Sequence, residues 1–118
     1  MSTLLILNRE PYDSTDVTWN ALRLAGRLLD AGEEVRVFLM NDAVDLAREA
    51  CKAPDDYDQD LTQMLKFLIG RGVVVRVCSS CMARCGTHKN EPHLEEAMPS
   101  TMPELAEWVL SSDKVLTF

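Results

Sequence analysis

The hydrophobic pattern changes period repeatedly along the chain, and the changes mark its elements. Leu4-Leu5-Ile6-Leu7 is a short, wholly apolar run, as expected of a strand buried on both faces. Arg9–Asp13, with Pro11, reads as a loop. Ser14 or Asp16 is then placed to cap a helix running to about Ala31, in which Ala21, Leu22, Ala25, Leu28 and Leu29 recur at helical spacing. Gly32 closes it. Val35–Leu39 is a second strand. Asn41 or Asp42 caps a short helix with Val44, Ala47 and Cys51 on one side, and the aspartate-rich stretch Pro54–Asp60 is a solvated loop. Leu61, Met64, Leu65 and Leu68 form the stripe of a further helix, closed by Gly70, and Val73–Val77 is a third strand running directly into Cys78.

Beyond it, Thr87–Pro92 is polar and expected to be mobile, and Leu94–Met98 is a short fourth strand. Thr101 with Glu104 makes a capping box, Pro103 sits early in the helix where proline is tolerated, and Leu105, Trp108 and Val109 give that helix its buried face. Val115–Phe118 is a last strand. Strand and helix alternate without repeats or low-complexity tracts. The expected fold is a single α/β domain over residues 1–118, a three-layer α/β/α sandwich on a parallel, five-stranded sheet with right-handed crossovers. In such sheets functional groups gather beyond the C-terminal strand ends, an edge that Asn8, Met40-Asn41 and Cys78 occupy.

Composition narrows the chemistry. With 118 residues, 47% of them hydrophobic, the chain can build a core without a disulfide or metal staple. A formal net charge of −7 and no basic stripe argue against nucleic acid. No run approaches the roughly 18 apolar residues of a membrane helix. Leu4–Leu7 is too short for a signal-peptide core, so the expected setting is a reducing cytoplasm. There, clustered cysteines point to reactivity, redox chemistry or metal binding.

Three of the four cysteines fall within Cys78-Ser79-Ser80-Cys81-Met82-Ala83-Arg84-Cys85. If a helix starts at Ser79, Cys78 lies at its N-terminus, where unpaired N–H groups and the helix dipole favour the nucleophilic thiolate. Cys81 and Cys85 follow at i+3 and i+7 on the same helical face, and Arg84 adds positive charge. Cysteine is also a common buried small hydrophobe, and Cys51 is expected to be only that. Two other readings stay open. Cys78, Cys81 and Cys85 with His88 or His93 supply a thiolate–imidazole ligand set, although their spacing fits no common zinc ribbon. A Cys78–Cys81 redox disulfide is the other, although thioredoxin-type motifs usually follow a first strand and this one follows the third. The two histidines read more simply as surface loop residues.

The runs Asn20–Ala25, Ala31–Leu39 and Asp42–Val44, the segment Gly72-Val73 followed by Cys78-x-x-Cys81 and Gly86, and the ending Met102–Trp108 through Asp113–Phe118 together resemble the DsrE/DsrF-like family over nearly the whole chain. The resemblance implies a parallel five-stranded α/β/α fold, assembly into homotrimers, homohexamers or hetero-hexamers, and sulfur trafficking without a cofactor. A reactive cysteine would carry a persulfide, in sulfurtransferase-like fashion, between donor and acceptor proteins. In TusD-type members that position falls on Cys78, and many YchN-like members also have cysteine at the position of Cys81. One departure stands out: Cys85 occupies the place of the family's arginine, with Arg84 one residue earlier. Cys78 and Cys81 are therefore the expected catalytic pair, with Arg84, Cys85 and Asn8 in support.

Overall fold

The computed structural model describes residues 1–84 and 92–118. Its element order is β1 (Ser2–Leu7), α1 (Val17–Asp30), β2 (Glu34–Leu39), a 3-10 helix (Asn41–Ala47), α2 (Leu61–Gly70), β3 (Val74–Cys78), α3 (Ser79–Arg84), β4 (Ala97–Ser100), α4 (Met102–Ser111) and β5 (Lys114–Thr117). The five strands form one sheet in the order β4-β3-β2-β1-β5, with every pairing parallel.

That order explains the layers. The chain steps from β1 to β4 in one direction, so right-handed crossovers leave α1 and α2 on one face. The return from β4 to β5 runs the other way and carries α4 across the opposite face. Strand side chains divide accordingly. Val35, Val37 and Leu39 with Val75 and Val77 turn to the α1–α2 side, where Ala21, Leu22, Ala25, Leu61, Leu65 and Leu68 are buried. On the other side Trp108 of α4 packs edge-on against Phe38, ring centroids 6.2 Å apart. The guanidinium of Arg76 lies 4.3 Å from the Trp108 ring centroid, completing that layer with a cation–π contact.

Several sequence expectations shift in register. Asp16 precedes α1, but its side chain makes no capping hydrogen bond, and Ser14 stands at φ 70° outside the helix. The short helix after β2 is 3-10 and ends before Cys51; it follows Met40, so Asn41 and Asp42 lie within it rather than capping it. Gly70 is the last residue of α2, and the positive φ of the turn, 107°, belongs to Gly72. β3 extends through Cys78. β4 is Ala97–Ser100, not Leu94–Met98. It is an edge strand, the kind in which a proline such as Pro99 is tolerated. Val109 is exposed, because α4 meets the sheet along the narrow seam of Leu105 and Trp108. No helix among the described residues is long and apolar enough to cross a membrane.

Candidate functional site

Cys78 is the last residue of β3 and the residue immediately before α3. Alternation along β3 sends Val77 to the α1–α2 side and puts Cys78 on the face shared by Arg76 and α4. The Cys81 N–H donates to Cys78 Sγ at 3.4 Å. A sulfur thus stands where a serine or aspartate oxygen commonly caps a helix, accepting one of the N–H groups that the first turn leaves open. Both sulfurs are sheltered, Cys78 at 5% and Cys81 at 9% exposure, whereas Ser79 and Ser80 between them face outward. The motif therefore presents its two thiols to the protein and its two hydroxyls to the outside.

The neighbouring edge strand supplies polar groups beside the thiol. Cys78 pairs in register with Ser100 of β4, so their side chains project from the same face of the sheet. Ser100 is 2% exposed, and its hydroxyl donates to Glu104 Oε1 at 3.0 Å. Thr101 Oγ1 donates to the same carboxylate oxygen at 3.4 Å and accepts the Glu104 N–H at 3.5 Å, so the side-chain half of the expected capping box forms while the Glu104 carboxylate is taken by the two hydroxyls.

The other sequence candidates lie apart from this pair. Asn8 is on the same sheet edge, but β2 separates β1 from β3. Its backbone N–H and its Nδ2 both donate to the Phe118 carbonyl, at 2.9 and 3.2 Å, and its Oδ1 accepts from Asn41 Nδ2 at 3.0 Å. Asn8 thus anchors the end of β5 and the turn after β2, and its amide is not directed at sulfur. Arg84 is exposed at the end of α3. Cys85 and His88 lie outside the described residues. Among the described residues no three His, Cys, Asp or Glu side chains stand together as a metal site. His93 is half-buried, bridged through its backbone to Arg48. Cys51, Cys78 and Cys81 are not joined in disulfides. Cys51 is buried within the segment after the 3-10 helix, and burial pushes its thiol up, opposed by hydrogen bonding with Thr62 and the charge of Arg48.

Comparison with known proteins now bears on this arrangement. The sequence model of the DsrE/DsrF-like family matches residues 1–118. The chain belongs to the DsrE/DsrF-like family. It is 36% identical over 117 residues to Protein YchN of Escherichia coli (strain K12), covering 98% of this chain and 97% of the relative. An uncharacterized protein of Methanocaldococcus jannaschii is 35% identical over 118 residues, the full length of both. The crystal structure of the ychN protein from E. coli superposes with a TM-score of 0.81 at 36% identity, again over the whole of both chains. The all-parallel five-stranded architecture around Cys78 is therefore shared with an experimentally solved relative.

Ser100 is the neighbour of Cys78 that sequence reasoning passed over. Glu104 was visible only as half of a capping box, and no spacing rule links position 78 to position 100. The one available signal was that the capping box directly follows an edge strand, so that its polar groups arrive at the C-terminal sheet edge.

Proposed function

We propose that this protein is a sulfur carrier that holds a persulfide on Cys78 and hands the outer sulfur to another protein. Membership in a family linked to sulfur relay supports the reading. The observation that carries it is the Cys81 N–H directed at Cys78 Sγ at 3.4 Å, a donor placed where negative charge on sulfur would develop. In this reading the Cys78 thiolate attacks the outer sulfur of a donor persulfide. A new S–S bond forms to Cys78 while the donor's S–S bond breaks, and the donor leaves as a thiolate that takes up a proton. Attack by an acceptor thiolate on the outer sulfur reverses the loading and restores the Cys78 thiolate. No cofactor is needed, because each step exchanges one S–S bond for another.

Cys81 is the resolving or sulfur-sharing partner. Donor and acceptor proteins are the partners, and a reducing cytoplasm, which keeps such thiols free, is the setting. Self-assembly into a homo-oligomer, a trimer or hexamer, belongs to the same proposal. It is supported by apolar side chains left outside on and around α4, among them Leu110 at 86%, Met98 at 58% and Val74 at 49% exposure.

Treating the protein with a persulfide donor and weighing it intact tests the reading. The expected result is a gain of about 32 Da, the mass of one sulfur, reversed by reductant. The gain should vanish in Cys78→Ser and persist in Cys81→Ser. The opposite pattern would move the carrier to Cys81. A loss of two protons with no added sulfur would indicate a Cys78–Cys81 disulfide instead, and no change at any cysteine would overturn the proposal.

A further inference from the structure

Resting on the reading of Cys78 as the sulfur carrier, we infer that the Ser100 hydroxyl is a rotating donor that stabilises the Cys78 sulfur in its anionic state, and that Glu104 competes for it. Three observations place the groups. Cys78 and Ser100 are paired residues of β3 and β4, so their side chains stand on one face of strands that run about 4.8 Å apart. Ser100 is 2% exposed, so water does not compete freely for its hydroxyl. Its single proton is given to Glu104 Oε1 at 3.0 Å, and Glu104 has a second donor to that oxygen in Thr101 Oγ1 at 3.4 Å.

The chemistry follows from counting protons. A serine hydroxyl has one donor and two acceptor sites. While Cys78 is a thiol, the Ser100 proton belongs with the carboxylate and nothing is left unsatisfied. When Cys78 releases its proton to water, or carries an anionic persulfide, the strongest unsatisfied acceptor on that face is sulfur. Rotation about the Ser100 Cα–Cβ bond, between staggered positions, then carries the O–H toward Cys78. Glu104 keeps the Thr101 donor, so the exchange strands no carboxylate oxygen in a buried place. Together with the fixed Cys81 N–H, the rotated hydroxyl gives the anionic sulfur two donors from two different elements. Glu104 opposes the change twice: it holds the same proton, and it is itself an anion. Among the described residues, the other charged groups on the surrounding elements are Arg76 on β3, Arg84 on α3, Glu107 on α4, and Asp42 and Asp45 on the 3-10 helix.

This arrangement predicts effects of opposite sign at adjacent positions. The measurement is the rate at which iodoacetamide alkylates Cys78 at pH 7, followed by peptide mass in the full-length protein. Ser100→Ala should slow it on the order of tenfold, the worth of one hydrogen bond to a charged group. Ser100→Thr, which keeps the hydroxyl, should restore it close to the wild-type rate. Glu104→Gln, which keeps the size and removes the charge, should raise the rate above wild type. An unchanged or faster rate in Ser100→Ala overturns the inference. So does equal slowing in Ser100→Ala and Glu104→Gln, the sign of a disturbed α4 start. If Ser100→Ala does not fold, the direction of change in Glu104→Gln decides alone. Failure of persulfide loading in the wild-type protein would remove the carrier reading while leaving these alkylation rates to stand or fall independently.

Discussion

Cys78 and Cys51 are the same residue type in opposite settings. Cys78 ends a strand, receives a backbone N–H on its sulfur and is paired in register with Ser100 of the edge strand. Cys51 is a buried residue of the segment after the 3-10 helix, where burial raises its thiol and favours the neutral form. Sequence distinguishes the two by position, one at a strand-to-helix junction and the other at a lone apolar position. It misassigned the local structure of Cys51, which follows a 3-10 turn and is not on a helix. The Cys51 setting carries a pH signature. A thiol raised in the folded state gives stability that is fully present below the unfolded thiol value of about 8.5, and that is lost as pH rises through the folded one. Chemical denaturation between neutral pH and pH 10 should show stability declining on the alkaline side. Cys51→Ser, which keeps the site's size with a group that does not ionise there, should flatten that part of the decline. An identical slope in the variant would contradict the burial argument.

At the scale of elements, apolar residues made β1, β2 and β3 legible: Leu4–Leu7 of β1 is continuously apolar, as a strand covered on both faces requires, while Arg36 and Arg76 each interrupt an otherwise apolar run in β2 and β3. β4 was displaced because an edge strand is under no such demand. Met98 and Pro99 are exposed, and buried Leu94 belongs to the turn before it. The helix starts also differ from their sequence signals. Asp60 accepts the Gln63 N–H at 3.1 Å and caps α2, whereas Asp16 at the start of α1 makes no capping bond. Asp60→Ala should therefore cost about 1 kcal/mol by urea denaturation, the usual worth of a side-chain cap. Asp16→Ala should cost clearly less. Equal losses would mean that the two helix starts are held alike. The pairing of Cys78 with Ser100 is also an element-scale fact: it depends on how β4 registers against β3, which local pattern does not encode.

For the whole molecule, the alternation of strands and helices was enough to give a parallel three-layer fold, and the strand order follows from crossover handedness once β5 returns beside β1. The unequal cover of the two faces was not legible. One seam of α4 shields its side, leaving Met102, Val109 and Leu110 outward with Val115 of β5, an edge strand all of whose residues are exposed. Strand edges and apolar patches of this kind invite pairing with further copies. Sedimentation equilibrium at working concentration should give a mass several times the 13.2 kDa of the chain. A mass near that of the single chain would contradict the proposed assembly. Such a result would leave the thiol chemistry untouched, because Cys78, Cys81 and Ser100 all come from one chain.

The central claim is that sulfur resides on Cys78. Cleavage after Arg76 and Arg84 releases one peptide, residues 77–84, that contains Cys78 and Cys81 and no other cysteine. Fragmenting this peptide after exposure to a persulfide donor reads the position of the added sulfur directly. The account predicts an extra mass of about 32 Da on Cys78, absent after reduction. Sulfur found only on Cys81, or a peptide that gains none while the thiols remain free, would contradict it.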